Sequence, residues 1–314
     1  MRTKWLIPSC SVAVLALPGV VLGEFWVKVA TEAVIMVLFA ASFSLLYGQT
    51  GLLSFGQGAY FAVGAYGFAL SMTSLHLAFP LCLLIGIVSA ALWAWLTGYL
   101  CVRLAGIYFA IMTVVVAQST FYVIFQGYGI TGGDNGIQGL IPPGALQNPR
   151  VYYFFTLVIV GVSYYAYYRL VGSPFGLSLR SIRENPTRAR FVGIDVRKHT
   201  LKAFVLSGMF AGISGVLFAP FTRTVVPQMA DWMASGKAVF MGILGGAAHL
   251  LGPLVGASVW VFLDAFVSGF TVHWPLIIGL LIFLIVFFVP GGLTGLIASY
   301  AGNPDAHDER GQIS

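Results

Sequence analysis

The chain has 314 residues, of which 16 are Lys or Arg and 10 are Asp or Glu, so charged residues make up 8% and the net charge is +6. A soluble domain carries about 25% charged residues, so a water-facing globule is excluded, as are a disordered chain, a disulfide scaffold and a soluble nucleic-acid binder. Apolar residues reach 59%, enough for roughly nine bilayer crossings at about 20 residues each. The positive surplus then reads as membrane topology rather than as a partner for phosphates.

Gaps between charges mark the crossings. No Asp, Glu, Lys or Arg occurs in 33–102, 104–133, 203–222, 238–263 or 265–304, and each such group costs several kcal/mol in hydrocarbon. Barrel strands would alternate apolar and polar residues, whereas 276–289 is apolar on every side, so the spans are helices. In chain order they are predicted at 5–22, 25–47, 59–74, 79–101, 106–125, 151–170 and 202–221, then one or two segments in 237–266, and 274–290. The expectation is an all-α integral membrane protein of about eight to ten transmembrane helices. The transmembrane domain covers 1–302 and a polar tail covers 303–314.

Arg2 and Lys4, an apolar run, and Val21-Leu22-Gly23 fit a signal peptide as well as a first helix. The length of the run and the spans that follow at once favour a retained helix. Cys10, Cys82 and Cys101 all fall in apolar spans without metal spacing. His76, His199, His249, His273 and His307 form no HxxxH pair.

Between 172 and 202 lie Arg180, Arg183, Arg188, Arg190, Arg197, Lys198 and Lys202, against only Glu184 and Asp195. The positive-inside rule makes this loop cytoplasmic, with Arg2 and Lys4 on the same side and 126–150 outside. The side of the C-terminus depends on whether 236–269 crosses once or twice. Within the loop, a short helix is predicted from about Gly176, ending before Asn185-Pro186. Asn185 suits an N-cap and Pro186 the first position of a second short helix that ends at Gly193, and Asp195 can cap the next span. Leu179, Ile182, Ala189 and Val192 supply an apolar face, with the arginines expected to point elsewhere. Such a pair suits either docking of a cytoplasmic partner or contact with anionic membrane lipid.

Six glycines crowd 48–67 and six crowd 236–256. Gly-interrupted apolar segments, one in each half, point to discontinuous helices around a substrate path. The candidates for that path are Gln49, Gly51, Ser54, Gly56, Gln57 and Gly58 in the first segment, and Gly245, Gly246 and Gly252 in the second. The alternative is close helix packing through Gly208/Gly212, Gly242/Gly246 and Gly252/Gly256. The outer loop holds Gly132, Gly133, Asp134, Asn135 and Gly136, a turn-forming string that is also a candidate contact for an outer partner. It lacks the spacing of a calcium loop. Glu32, Arg103, Lys237 and Asp264 are placed near helix ends, where snorkelling accounts for them. There is no GxxxxGK[ST], no HExxH and no Ser-His-Asp set, so an intramembrane enzyme ranks last and no nucleotide or metal cofactor is expected on this chain.

Several strings, in order, resemble the permease subunits of branched-chain amino-acid ABC importers of the LivM type. They are Tyr47-Gly-Gln-Thr-Gly-Leu-Leu-Ser-Phe-Gly-Gln-Gly-Ala-Tyr-Phe61, Gly106-Ile-Tyr-Phe-Ala110, Thr131-Gly-Gly-Asp-Asn-Gly-Ile-Gln-Gly139, the loop 173–193, Gly242-Ile-Leu-Gly-Gly-Ala-Ala-His-Leu-Leu-Gly-Pro-Leu-Val-Gly-Ala257 and Pro290-Gly-Gly-Leu-Thr-Gly295. His249 departs from the family, which often has a further small residue there. The resemblance implies an ABC-importer permease fold in a bacterial inner membrane and alternating access for leucine, isoleucine or valine. It also implies a second homologous permease subunit, a periplasmic solute-binding protein and two cytoplasmic ATPase subunits that bind the ATP and Mg. By the same resemblance Arg180, Ser181, Ile182, Arg183, Glu184, Asn185, Pro186, Ala189 and Gly193 form the ATPase-docking loop. The rivals are a same-family carrier of urea or short amides and an ATP-independent secondary carrier.

Overall fold

The computed structural model describes residues 23–269, together with 276, 277, 279, 280, 283 and 291–295. The expected span 5–22, most of the span 274–290, Cys10 and the tail 303–314 lie outside the described residues.

Five of the described helices are long and apolar enough to cross a bilayer: α1 (Glu24–Thr50), α3 (Phe79–Cys101), α4 (Ile107–Gln126), α6 (Pro149–Val171) and α9 (Val196–Thr222). Between them lie α2 (Gln57–Thr73), the single turn α5 (Tyr128–Thr131), the basic-loop helices α7 (Pro174–Glu184) and α8 (Pro186–Phe191), and the paired half-helices α10 (Trp232–Gly245) and α11 (Gly252–Val267). Among the described residues the expected spans match to within a few residues, with two corrections: α9 begins at Val196 rather than at 202, and the 237–266 segment begins earlier. The 237–266 segment takes the two-segment form of its expectation, but the first helix begins at Trp232, ahead of Lys237, because Asp231 is extended and opens it.

Burial sets the order of the bundle. The most apolar stretch of α1 is 89% buried and that of α9 72%, against 22% for α3 and 33% for α4 and α6. The first two are therefore the axis and the others lie on the outside of the bundle. Helices α2, α3 and α9 pack most closely, and small residues permit it. A Cβ on Gly64 would stand 2.5 Å from the Gly212 carbonyl oxygen, and one on Gly86 would stand 2.6 Å from the Gly64 carbonyl oxygen. This is the small-residue packing of membrane helices, where close backbone approach replaces the hydrophobic drive.

Two chain breaks shape the interior. α1 stops at Gly51, which adopts the left-handed conformation (φ 73°) and donates its N–H to the Tyr47 carbonyl at 3.0 Å. Residues 51–56 then return into the bundle without helix, and α2 starts at Gln57. In the other half, α9 ends at Arg223, and Thr224–Val225 (β2) pairs antiparallel with Ile137–Gln138 (β1). The chain then dips to Asp231, where α10 begins.

Candidate functional site

The two breaks meet. Gln57 lies against Ser42 of α1 and Ser207 of α9. Ser42 is eight residues from the basic end of α1, roughly 12 Å at 1.5 Å per residue, which puts Gln57 near the middle of the crossing. The N-terminus of α10 reaches the same level: the Gly58 N–H donates to Ser235 Oγ at 2.9 Å, and a Cβ on Gly58 would stand 3.0 Å from the carbonyl oxygens of Asp231 and Met229. Val225, by contrast, sits beside Tyr66, two turns further along α2. The dip from Val225 to Asp231 is thus about 12 Å by helix rise. Helices α2 and α10 therefore start from one point and run toward opposite faces, with both positive dipole ends at mid-depth.

The polar groups there fall into two kinds. Gln57 is satisfied: its Nε2 donates to Ser207 Oγ at 3.0 Å, and its Oε1 accepts from Ser42 Oγ at 3.2 Å. Ser207 Oγ also reaches the Ser42 carbonyl at 2.7 Å, so the three residues form a buried knot between α1, α2 and α9. Ser54 is buried and accepts from the Gly56 N–H at 3.2 Å, while the Phe55 N–H donates to Thr113 Oγ1 at 3.0 Å. Asp231 is different. Its Oδ1 is buried and has no hydrogen-bond partner among the described residues. Neither Asp231 nor Ser207 and Ser235 stood out in the sequence. The only signal was an Asp in N-cap position before an apolar run and isolated serines inside apolar helices.

The basic loop builds a second constellation. Ser173 caps α7, Asn185 caps α8 by accepting from the Arg188 N–H at 2.9 Å, and Pro174 and Pro186 take the first helical turns. Leu179, Ile182 and Ala189 are buried as expected, but Val192 is 71% exposed. The arginines do not all point away. Arg180 Nε donates to Gln49 Oε1 at 2.9 Å, and Arg183 Nη1 donates to the Gly48 carbonyl at 2.8 Å. Carbonyls in the last turn of a helix lack helical partners, so the two guanidiniums close the end of α1. Gln49 is 2% exposed and sits here, at the loop, away from Gln57. A Cβ on Gly51 would stand 3.2 Å from the Arg183 side chain. On the other side of the hairpin, Leu177, Phe191 and Val192 stand bare, as do Ser181, Glu184 and Pro186. Gly193 takes φ 87° and releases the chain toward Asp195, which accepts from the Lys198 N–H at 3.1 Å. That N–H and the Lys198 ammonium hold the Asp195 carboxyl below the usual carboxylate range.

Gly245, Gly246 and Gly252 lie in the turn between α10 and α11, where Thr294 Oγ1 donates to the Gly245 carbonyl at 2.5 Å and a Cβ on Gly252 would run into the Gly246 carbonyl. They are brought beside Gly48, whose missing Cβ leaves room for the Ala247 carbonyl, and not beside Gln57. Of the charges placed near helix ends, Asp264 is in the last turn of α11, and Arg103 follows α3 with its guanidinium 4.5 Å from the Tyr99 ring centroid. Glu32 and Lys237 are instead well inside α1 and α10.

At the far end, Gly132, Gly133 and Gly136 all have positive φ, and Gly133-Asp134-Asn135 forms one 3-10 turn. The turn is stapled to the dipping segment by the β1–β2 ladder and by Gln228 Nε2 donating to Asp134 Oδ1 at 3.2 Å.

A family model described as branched-chain amino acid transport system / permease component matches residues 25–289. The chain belongs to this family. It is 29% identical to the high-affinity branched-chain amino acid transport system permease protein LivM of Escherichia coli (strain K12), over 85% of this chain and 69% of the relative. A probable branched-chain amino acid transport permease protein LivH of Methanocaldococcus jannaschii is 26% identical over 83% of this chain and 89% of its own. The guanosine ABC transporter permease protein NupQ of Bacillus subtilis (strain 168) is 27% identical over 35% of this chain and 34% of its own. No solved structure gives a significant match. The LivM-type resemblance and the all-α membrane architecture both stand. The permease-family match spans α2, α10 and the basic loop between them.

Proposed function

We propose that the chain is a permease subunit of an ATP-driven importer in a bacterial inner membrane, translocating aliphatic branched-chain amino acids. In this reading it pairs with a second permease subunit, receives solute from a periplasmic binding protein and is driven by two cytoplasmic ATPase subunits. The observation that carries the reading is the two-sided α7–α8 hairpin. One side grips the end of α1 through Arg180 and Arg183, and the other presents Phe191, 86% exposed, with Leu177. Exposed apolar patches of this kind mark protein contacts. A pull on the hairpin reaches α1 and, through the Gly51 break, the 51–56 segment that leads to α2. Such a packed two-state linkage converts docking into gating.

The mid-depth junction suits a zwitterion. Two helix N-termini favour a carboxylate, and the unpartnered Asp231 Oδ1 offers an acceptor for an ammonium. The satisfied Gln57 shapes the wall of this junction rather than binding solute.

The test is leucine uptake into proteoliposomes. The complete complex moves leucine only with ATP on the ATPase side, and the chain alone moves none. Uptake by the isolated chain at the rate of the complex makes it a secondary carrier instead. Urea and guanosine, run in the same assay, decide the solute class.

A further inference from the structure

At the basic end, α3, α6, α7 and α9 line an open crevice of about 880 Å³. It takes no part in the junction or in the grip on α1. Its wall on α9 is Lys198, Leu201, Lys202, Val205 and Leu206, the i, i+3, i+4, i+7, i+8 row that makes a single helix stripe. Both lysines occupy the start of the stripe and the apolar residues its continuation into the membrane. Arg169, in the last turn of α6, lines the same end. Trp95 of α3 flanks the opening and is exposed, the position at which tryptophan sits in a bilayer interface.

The electrostatics have one sign. No acid lines the crevice. Lys198 is paired with Asp195 at 3.1 Å, and among the described residues neither Arg169 nor Lys202 has a carboxylate within salt-bridge distance. Arg103 and Arg197 both lie over the Tyr99 ring, 4.5 and 5.3 Å from its centroid, one turn beyond Trp95. The N-terminal turn of α7, with Ser173 and Phe175, borders the crevice and adds the positive end of an eleven-residue helix. A cationic end on an open, apolar-walled crevice between membrane helices is complementary to a lipid with a negative headgroup.

We propose that this crevice binds one anionic phospholipid of the inner leaflet. The headgroup phosphate sits between Arg169 and Lys202, and an acyl chain lies along Leu201, Val205 and Trp95. The seated lipid wedges the root of α7 against α9. The site is independent of the solute reading, because it needs only a bilayer on the basic side.

Native mass spectrometry of the full chain in detergent, titrated with phosphatidylglycerol and phosphatidylcholine of matched acyl chains, tests this. The expected result is retention of one phosphatidylglycerol roughly tenfold more strongly than phosphatidylcholine, about 1.4 kcal/mol. Arg169→Ala with Lys202→Ala removes the preference, whereas Arg190→Ala on α8 keeps it. Equal retention of both lipids by the native chain overturns the proposal, as does an unchanged preference in the double variant. Phosphatidylglycerol displaced by millimolar inorganic phosphate assigns the site to a free anion and also overturns it. Should the double variant fail to fold, quenching of the native chain by brominated phosphatidylglycerol replaces it. Trp95→Phe must lose a distinct share of that quenching, and undiminished quenching refutes the placement.

Discussion

Arg183→Ala isolates the grip of the hairpin on α1. The guanidinium donates to the Gly48 carbonyl at 2.8 Å. A hydrogen bond to a charged group contributes about 1.5–3 kcal/mol, and a cation at a helix C-terminus adds about 0.3–1 kcal/mol. The Arg183 side chain is partly in solvent, which screens both contributions, so the low end applies, about 1.5 kcal/mol. That corresponds to roughly a tenfold increase in local opening. Amide hydrogen exchange on the purified chain reads it directly. Residues 48–52 exchange about tenfold faster in the variant, while the outer half of α1 is unchanged. Arg183→Lys keeps the charge without the planar fork and falls between the two. In the complete complex, Arg183→Ala leaves ATP hydrolysis running and lowers leucine uptake. Identical exchange at 48–52 in native and Ala variants would refute the grip, and with it the route from hairpin to α1.

Four further outcomes follow from the geometry. Asp231→Asn, nearly isosteric, keeps the thermal midpoint within a few degrees in detergent and lowers leucine uptake at least tenfold, about 1.4 kcal/mol; full uptake removes Asp231 from the solute path. Gln57→Leu leaves Ser42 and Ser207 bonded to the Phe39 and Ser42 carbonyls, so it costs only about 1–2 kcal/mol of stability, and loss of transport in a well-folded Leu variant would return Gln57 to the path. Gly215→Ala drives a Cβ into the Phe61 carbonyl whereas Gly161→Ala meets nothing within 4 Å, so the first lowers the thermal midpoint sharply, by about 3 kcal/mol or more in stability, and the second leaves it unchanged or raised. Protection of the first turn of α9 is full above the ordinary Asp value of 3.8 and is lost as pH falls through the lowered Asp195 value, because the carboxylate that caps this turn must then be protonated; exchange measured from pH 6 to pH 3 in native and Asp195→Asn chains checks the sign.

The sequence by itself determined the class, the span positions and the chemistry of the loop. Charge gaps need no partner to be read, since one buried charge outweighs many local preferences. The caps Asn185 and Asp195 are local, acting within three residues. The same is true of the breaks at Gly51 and Gly246, both with positive φ. Tertiary structure decided which polar residue meets which. Gln49 and Gln57 look alike in sequence, eight residues apart, yet the Gly51 turn sends them to different depths, one to Arg180 and the other to Ser207. Asp231 carries no signal of a site in the sequence, and only the dip after β2 brings it beside Gly58. Arg180 and Arg183 looked like solvated charges until α7 was laid across the end of α1. Periodicity records which face of a helix is apolar, but the depth at which a re-entrant chain turns depends on contacts between halves of the molecule more than a hundred residues apart. No local pattern encodes that.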